Sequence, residues 1–393
     1  MVFLVERGPA PAPPEYFNKE KGAWATLPLF SWGCWVDADF LIIGGGIAGI
    51  SVAAELSGLG SVQLLEREAQ LAHHASSRSA ALYEPHYGAA PVVALSLLTG
   101  PVLARIPGVL SPRGVMMVAR TDQAAAFHAG ADEMLLTRMT VDEAVALVPV
   151  LNAGVVALAA GAEHAQDIDT DLLLQHFGRV ARGNGARFEL RAGVTGIAHE
   201  GAGWRVTTAR GAFSARFVVN AAGPWADVVA GMAGVRPVGC TPMRRSIARI
   251  PAPGGHDVSG WPMLFGPGED WYAKPDAGAL IVSPGDENPM APHDAFADDM
   301  VLAEGLARYE AMVTEPVTRV LANWAGLRTF APDRVPVIGP DAAEPAFLWL
   351  AGQGGYGFQS CAGAARLLGD LVAGRAPEVG ADMAVRLSPA RFG

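Results

Sequence analysis

Three glycines and one acid stand at a spacing that suits the binding of a dinucleotide. Gly44, Gly46 and Gly49 follow an apolar run, and Glu66 comes 17 residues after the last of them. The first glycine permits a tight turn, the second lets backbone approach a pyrophosphate, and the third lets a helix lie close to a strand. Glu66 stands where a carboxylate accepts hydrogen bonds from ribose hydroxyls. These residues predict a bound dinucleotide, either NAD or FAD.

The elements around these residues have the order that such a site requires. Residues 39–43 predict a buried strand, residues 51–59 a helix and residues 62–65 a second strand. The free N–H groups at the helix N-terminus would point at the phosphates. A glycine turn without a ligand is the alternative, but the complete order of strand, turn, helix, strand and acid favours the dinucleotide.

Two adjacent arginines, Arg244 and Arg245, lie in a segment that predicts a strand. Neighbouring side chains of a strand point to opposite faces, so one of the two would be buried. A buried guanidinium needs an anionic partner. That partner is either a protein carboxylate in a structural ion pair or the carboxylate of a ligand.

Other segments predict loops and elements that could border the same ligand. Small residues and hydroxyls surround Arg78, which suits either backbone close to a flat ring or an ordinary surface loop. Acids at residues 167–171 precede a predicted helix, 172–182, where helix capping explains them better than a Ca²⁺ or Mg²⁺ site. Residues 154–158 predict a strand. Residues 347–371 repeat the order of strand, glycine turn and helix.

Composition limits the class of protein. The chain of 393 residues is half hydrophobic and 17% charged with a net charge of −10, which excludes wholesale disorder and argues against non-specific nucleic-acid binding. Its three cysteines are far apart, which suits a reducing cytoplasm. His73 and His74 are adjacent and no His-x-x-x-His occurs, so we expect no metal. The uncharged windows 144–162 and 345–365 contain turn residues, so we expect no membrane span.

Residues 1–36 predict an N-terminal arm. Prolines interrupt the first half and rule out a signal-peptide core, and three tryptophans follow closely in the second half. Clustered aromatic residues are typical of a segment that packs on the body of a protein.

The chain resembles the flavin-dependent D-amino-acid oxidase superfamily and, within it, the D-amino-acid dehydrogenases of the D-arginine dehydrogenase type. The matching stretches occur in family order over nearly the whole chain after residue 37, and they select FAD over NAD. They are residues 39–49, 66–68, 77–81, 167–171, 219–225, 244–246, 261–263, 272–275, 326–330 and 353–359.

This resemblance implies an α/β fold in which a Rossmann-like FAD-binding lobe carries an inserted antiparallel-sheet substrate lobe. The first lobe would comprise residues 37–82, 150–240 and 326–393, and the second residues 83–149 and 241–325. The cofactor would be FAD, held non-covalently. By the same resemblance it would be bound by Gly44, Gly46, Ile47, Ala48, Gly49, Glu66, Arg67, Arg78, Ser79, Ala80, Val194, Ala222, Gly223, Trp225, Gly354, Gly355, Tyr356, Gly357, Phe358 and Gln359.

The resemblance also implies the oxidative deamination of a D-amino acid. Arg245 and Arg328 would bind the substrate carboxylate, because a guanidinium fork matches a carboxylate in two parallel hydrogen bonds. Tyr272 would donate a further hydrogen bond, Tyr87 would close over the substrate as a lid, and Gly355 would offer its carbonyl to the amine. Hydride would pass from the α-carbon to flavin N5, and the imine would hydrolyse to a 2-oxo acid and ammonia.

The pocket for the substrate side chain departs from the arginine-active relatives. Leu82 and Val115 stand where those relatives carry a histidine and an acid, and with Met263 and Phe265 they imply a hydrophobic D-amino acid. Glu84 either holds an ammonium or is a solvated lid residue, and the second interpretation is slightly favoured.

Other functions remain compatible with these residues. On the same fold, the alternatives are an oxidase of N-methyl or sarcosine-type amino acids and a 2-hydroxy-acid or glycerol-phosphate dehydrogenase. From a different class, a dinucleotide-binding redox sensor without turnover is the alternative. The electron acceptor would be oxygen or a quinone.

Overall fold

The computed structural model describes residues 15–18, 23–26, 36–201 and 203–393. The predicted packing of the N-terminal arm lies outside the described side chains. The helices are α1 Ile47–Leu56, α2 Ala90–Leu103, α3 Ala124–Glu133, α4 Val141–Leu147, α5 Thr170–Gly183, α6 Ala226–Met232, α7 Asp299–Glu310, α8 Cys361–Val372 and α9 Ala381–Leu387. The strands are β1 Glu15–Asn18, β2 Ala23–Thr26, β3 Ala38–Ile43, β4 Val62–Leu65, β5 Leu82–Tyr83, β6 Leu110–Pro112, β7 Val115–Ala119, β8 Thr137–Met139, β9 Leu158–Ala162, β10 Gln166–Ile168, β11 Arg187–Glu189, β12 Val194–Glu200, β13 Gly203–Thr208, β14 Gly211–Asn220, β15 Thr241–Pro251, β16 Met263–Phe265, β17 Tyr272–Asp276, β18 Ala279–Ser283, β19 Asn288–Pro289, β20 Ala322–Phe330, β21 Val337–Pro340 and β22 Phe347–Ala351.

A largely parallel sheet forms the first lobe, in the order β11-β4-β3-β14-β13-β12, with β22 beside β14 and β21 beside β22. Its core strands are apolar on both faces, and Leu41 and Ile42 are fully buried, because helices cover both sides of a parallel sheet. Ile43 is in register with Leu65 and with Asn220, so three strands end at the same edge. The glycine turn, Glu66 and the segment after β14 therefore meet at that edge.

A second sheet, in the order β19-β15-β18-β17-β16-β7-β9-β8 with β20 beside β15, forms the other lobe. Its pairs are antiparallel except for the parallel pair β16 and β7. In the β15–β20 pair, Met243 lies opposite Arg328 and Arg245 lies opposite Gly326. Arg245 and Arg328 are therefore diagonal neighbours on one face of the sheet. The predicted fold class is confirmed.

The lobe boundaries differ from the expected ones at three places. Residues 158–162 form β9, which pairs with β7 and so belongs to the second sheet. Residues 326–330 belong to β20 and also pair within that sheet. Helix α2, expected in the substrate lobe, instead buries Leu95 and Leu103 in the core of the first lobe. Each of the three segments belongs to the lobe whose sheet or core buries its apolar side chains.

Most local predictions are confirmed, but one strand is wrong and the helix expected at residues 51–59 spans Ile47–Leu56. Asp169 caps α5 by accepting a hydrogen bond from the backbone N–H of Leu172, which supports the capping interpretation of the acids. The strand expected at residues 154–158 begins only at Leu158. A turn held by Asn152, whose side-chain oxygen accepts the N–H of Gly154, occupies the preceding residues.

Candidate active site

Three adjoining cavities run from the edge of the first sheet to the face of the second. The first, of about 430 Å³, borders the glycine turn and Glu66. The second, of about 130 Å³, shares Gly46, Ser76, Ala221 and Gly223 with the first. The third, of about 90 Å³, shares Tyr272, Arg328, Gly355 and Phe358 with the second. Such a continuous path can hold an elongated ligand with a smaller one at its end.

The glycine turn is built without room for side chains. Gly44 has φ of +109°, a conformation that favours glycine, and an added Cβ would overlap the carbonyl of Ala221. Gly49 does not line the cavity; it lets α1 contact the backbone of Gly44 directly. Helix α1 begins after Gly46 without a side-chain cap and without acids in its first turn. Apart from the N–H of Ile47, which donates to Oγ of Ser76 at 3.0 Å, the first N–H groups of this helix are available to an anionic group at the border of the first two cavities.

Glu66 is a buried acid at the first cavity. Its Oε2 accepts the backbone N–H of Gly45 at 2.7 Å, and its Oε1 accepts that of Glu68 at 2.8 Å. A carboxylate has about four acceptor positions, so capacity remains for a ligand. Nearby, the Arg67 guanidinium lies 4.6 Å from the centre of the Trp225 ring, and both residues line the cavity with Val194 and Ala222.

His73 and His74 also border the first cavity. Nε2 of His74 lies 3.0 Å from Oε1 of Glu68, whereas its Nδ1 makes no hydrogen bond to a described residue. The ligand atoms of Glu68, His73 and His74 come within 4.8 Å of one another, a grouping that the sequence spacing does not reveal. Asp294 is a further ion-pair partner of both histidines.

The second cavity is lined by three donors that make no hydrogen bond to a described residue. Nη1 of Arg245 and the hydroxyl of Tyr272 are buried, and neither makes a hydrogen bond within the described residues. Arg328 lines the same cavity. Its guanidinium makes no hydrogen bond or ion pair in the described part of the chain. Orphaned buried donors are costly, so their convergence indicates a site for an anion.

Two of the three guanidinium nitrogens of Arg245 make hydrogen bonds to the protein. Its Nε donates to the carbonyl of Asp286 at 3.0 Å, and its Nη2 donates to Oε1 of Glu287 at 3.1 Å. Nη1 lies 3.9 Å from Oε2 of Glu269. The structural ion pair and the free donor therefore coexist in one side chain. Arg244, on the opposite face, is held by Asp286 and Asn288.

Arg328, unlike Arg245, makes no hydrogen bond to a described residue. Burial opposes its charged form, but the neighbouring Tyr272, Tyr87 and Glu269 outweigh this and raise the pKa of Arg328 above its ordinary value. The group is therefore always charged. A Cβ added at Gly355 would lie 2.9 Å from Nη1 of Arg328 and 3.0 Å from its Cζ, so the guanidinium rests against bare backbone.

The third cavity has an apolar wall and two acids. Leu82, Val115, Met134, Met263 and Phe265 line it, which places together all four apolar residues predicted for the pocket and adds Met134. The acids are Glu84 and Glu269. Glu84 is only 1% exposed, so the interpretation as a solvated lid residue is wrong. It is buried because His164 and the backbone of the following turn bind its carboxylate.

Tyr87 also lines the third cavity, with its ring 5.1 Å from that of Tyr356. Burial, together with the charge of Glu269, raises the pKa of the Tyr87 hydroxyl well above its ordinary value, so it stays protonated. Gln359 donates from Nε2 to the carbonyl of Tyr87 at 3.0 Å and fixes the turn. Tyr356, expected at the cofactor, does not line any of the three cavities, and its ring packs against that of Tyr87.

The remaining predicted cofactor residues border the second cavity. These are Ile47, Ala48, Arg78, Ser79, Ala80, Gly354 and Gly357. The Arg78 guanidinium donates to the carbonyls of Ala295 and Ala325 and pairs with Asp294, so it joins the two lobes. Residues that sequence reasoning missed are Ser76, which accepts the N–H of Ile47, and Glu269. Glu269 has φ of +58° in a turn, and no local pattern marks it.

Comparison with known proteins decides the family. The family model described as FAD dependent oxidoreductase matches residues 39–371. The chain belongs to this family. The match extends from β3 to the end of α8 and so includes every residue that lines the three cavities.

This FAD-dependent oxidoreductase is similar to several curated D-amino acid dehydrogenases over short stretches. A D-amino acid dehydrogenase of Cereibacter sphaeroides is 44% identical over 84 residues, which cover 17% of this chain and 19% of that protein. The matched part thus spans about a fifth of the length of that relative.

Solved structures share the fold over most of the chain. The L-proline dehydrogenase of P. horikoshii has a TM-score of 0.78 at 20% identity and covers 91% of this chain and 98% of its own. The L-α-glycerophosphate oxidase of Mycoplasma pneumoniae, solved with FAD bound, has a TM-score of 0.77 at 18% identity and covers 85% and 94%.

Among the described residues of this oxidoreductase, no helix has the length and apolar character needed to cross a membrane. Cys240 and Cys361 are free thiols. Burial raises the pKa of each to about 12, so neither is a reactive nucleophile.

Proposed function

We propose that this FAD-dependent oxidoreductase oxidises a D-amino acid at its α-carbon, giving an imino acid that water converts to a 2-oxo acid and ammonia. The observation that carries this proposal is the convergence of Arg328, Nη1 of Arg245 and the Tyr272 hydroxyl on one cavity, where none of them makes a hydrogen bond to a described residue. Three donors around a small space suit a carboxylate. The partial relative, named a D-amino acid dehydrogenase, supports the same chemistry.

FAD fits the first two cavities. The first offers Glu66 for a ribose, and the N-terminus of α1, which has no acid in its first turn, lies where the pyrophosphate would pass. At Gly46 a Cβ would come 3.1 Å from Oγ of Ser76, so a side chain there would fill the space for the phosphates. The second cavity, lined by small residues, would hold the flavin ring. When bound, FAD supplies an acceptor for the hydride of the substrate α-carbon.

The protein's part in this reaction is to hold the substrate. Arg328 would bind the carboxylate through two N–H groups, with Tyr272 and Arg245 completing the contacts. Gly355, which borders both the second and the third cavity, would accept a hydrogen bond from the amine through its carbonyl. The α-hydrogen would then face the flavin. Fixed orientation and the placement of charge supply much of the rate enhancement, so a general acid–base pair is not required.

The apolar wall of the third cavity would bind the side chain of the substrate. Leu82, Val115, Met263 and Phe265 would contact an apolar chain that extends away from Arg328. Tyr87 lies over the same space and would close it. An N-methyl amino acid presents the same carboxylate, and the similar fold of an L-proline dehydrogenase makes a secondary amine the second candidate.

Anaerobic reduction of the flavin tests the proposal. The purified protein would be mixed with D-alanine, D-leucine, L-leucine, sarcosine and D-lactate, and bleaching of the flavin absorbance would be followed. We expect fast bleaching by the D-amino acids, slower bleaching by sarcosine and none by D-lactate or L-leucine. Bleaching by D-lactate alone, or by none of the five, would overturn the proposal.

A further inference from the structure

The third cavity contains a buried carboxylate that the binding of an α-carboxylate does not use. Glu84 follows β5, and it lines the third cavity but not the second. Its Oε1 accepts the backbone N–H of His86 at 3.1 Å. Nε2 of His164 lies 2.8 Å from Oε1 and 2.8 Å from Oε2. The hydrogen bond is directed at Oε1, and Oε2 has none within the described residues.

An oxygen in this position is available to a ligand. A carboxylate accepts about four hydrogen bonds, and Glu84 receives two. Burying a carboxylate is costly unless its acceptor positions are filled. Because Glu84 is 1% exposed, bulk water cannot easily fill them, whereas a donor inside the third cavity can.

The two acids of the third cavity differ in their surroundings. Glu269 lies near the cations Arg245 and Arg328, which offset its charge. Among the described residues, the half-exposed His164 is the one basic side chain that pairs with Glu84. Glu84 is therefore the acid of the third cavity that has no arginine paired with it among the described residues.

We propose, on the basis of the proposed function, that Glu84 selects amino acids whose side chain has an apolar stem and a basic tip. The stem packs on Leu82, Val115 and Met263, and an ammonium or guanidinium at the tip donates to Oε2 of Glu84. The hydrophobic pocket expected from the sequence then describes the stem, and Glu84 determines what the pocket accepts at the end of it. A charge-assisted hydrogen bond in a dry cavity is stronger than one in water.

A matched pair of substrates isolates this contact. D-lysine and D-2-aminoheptanoate have side chains of the same length, and only the first ends in an ammonium. The ratio of their kcat/KM values would be measured for the wild type, Glu84→Gln, Glu84→Asp and the exposed control Glu163→Gln. We expect a ratio of roughly ten or more for the wild type and the control, because one charge-assisted hydrogen bond distinguishes the two substrates. Glu84→Gln should bring the ratio to about one or below it, and Glu84→Asp should keep it above one.

The outcomes separate this inference from the proposed function. If D-alanine and D-2-aminoheptanoate are oxidised but the wild-type ratio is near one, Glu84 does not select a basic tip and only this inference fails. If Glu84→Gln lowers kcat/KM for both substrates equally, Glu84 merely supports the turn at His86, and the inference fails again. If Glu84→Gln does not fold, loss of the preference in Glu84→Asp would overturn the inference. If no D-amino acid reduces the flavin, the proposed function fails and this inference with it.

Discussion

The substitution Gly355→Ala tests the contact between the backbone and Arg328. The new Cβ would lie 2.9 Å from Nη1, 3.0 Å from Cζ and 3.2 Å from Nε of the guanidinium. Normal contacts between such atoms are near 3.5 Å, so the guanidinium must shift by about half an ångström. The shift is easy for a long side chain, and the free energy of unfolding should change little. The carboxylate, however, would lose the geometry of a bidentate pair.

The expected cost follows from the strength of that pair. Hydrogen bonds to charged groups contribute about 1.5–3 kcal/mol, and partial misalignment should remove about 1–2 kcal/mol of it. The value of kcat/KM for D-amino acids should therefore fall by roughly 5- to 30-fold, mostly through KM. Flavin content and the melting temperature should match the wild type. Gly231→Ala is the control, since an added Cβ there meets nothing within 4 Å. An unchanged KM in Gly355→Ala would refute the placement of Arg328 beside the substrate.

Three further substitutions or reagents test separate parts of the structure. Tyr272→Phe removes a buried hydroxyl that makes no hydrogen bond to a described residue, so we expect an unchanged melting temperature and a KM raised about tenfold. A lowered melting temperature with a normal KM would contradict this. Gly49→Ala forces a Cβ into the carbonyl of Gly44, so the purified protein should lose most of its flavin. Absorbance at 450 nm would measure the flavin content, and full retention would contradict the assigned turn. Cys240 and Cys361 have pKa values raised to about 12 by burial, so roughly one thiol in ten thousand is ionised at pH 8. Peptide mapping after iodoacetamide treatment should find both unmodified until the protein unfolds; fast labelling of either thiol in the folded protein would contradict its burial.

The first lobe is predictable from sequence because its signals are local. Backbone lies too close to Gly44 and Gly49 for a side chain, and a Cβ at Gly46 would crowd the Ser76 hydroxyl. The position of Glu66 follows from the length of one helix and one strand. Antiparallel pairing of β15 with β20 is a long-range event, and no spacing in the sequence shows that Arg245 and Arg328 share a face. That expectation came from family resemblance.

The misjudged features depend on tertiary neighbours. The polar turn around Glu84 favours the interpretation as a lid residue. Its burial depends on His164, which approaches from the segment between β9 and β10. Glu269 escaped notice for the same reason, because its partners Tyr87, Arg245 and Arg328 are remote in sequence. Helix α2 joins the first lobe because its apolar face fits α8, a choice that composition alone cannot make.

Binding of an unreactive carboxylate tests the central claim most directly. 2-Methylpropanoate has the headgroup of an amino acid without the amine, and its binding to the flavin-containing protein would be followed through the flavin absorbance. We expect saturable binding by the wild type and by the surface control Arg205→Met. Arg328→Met should weaken binding by about a hundredfold at normal flavin content, since the main charged partner is lost. Equal affinity in Arg328→Met and the wild type would contradict the assignment of Arg328, Arg245 and Tyr272 to the binding of a carboxylate.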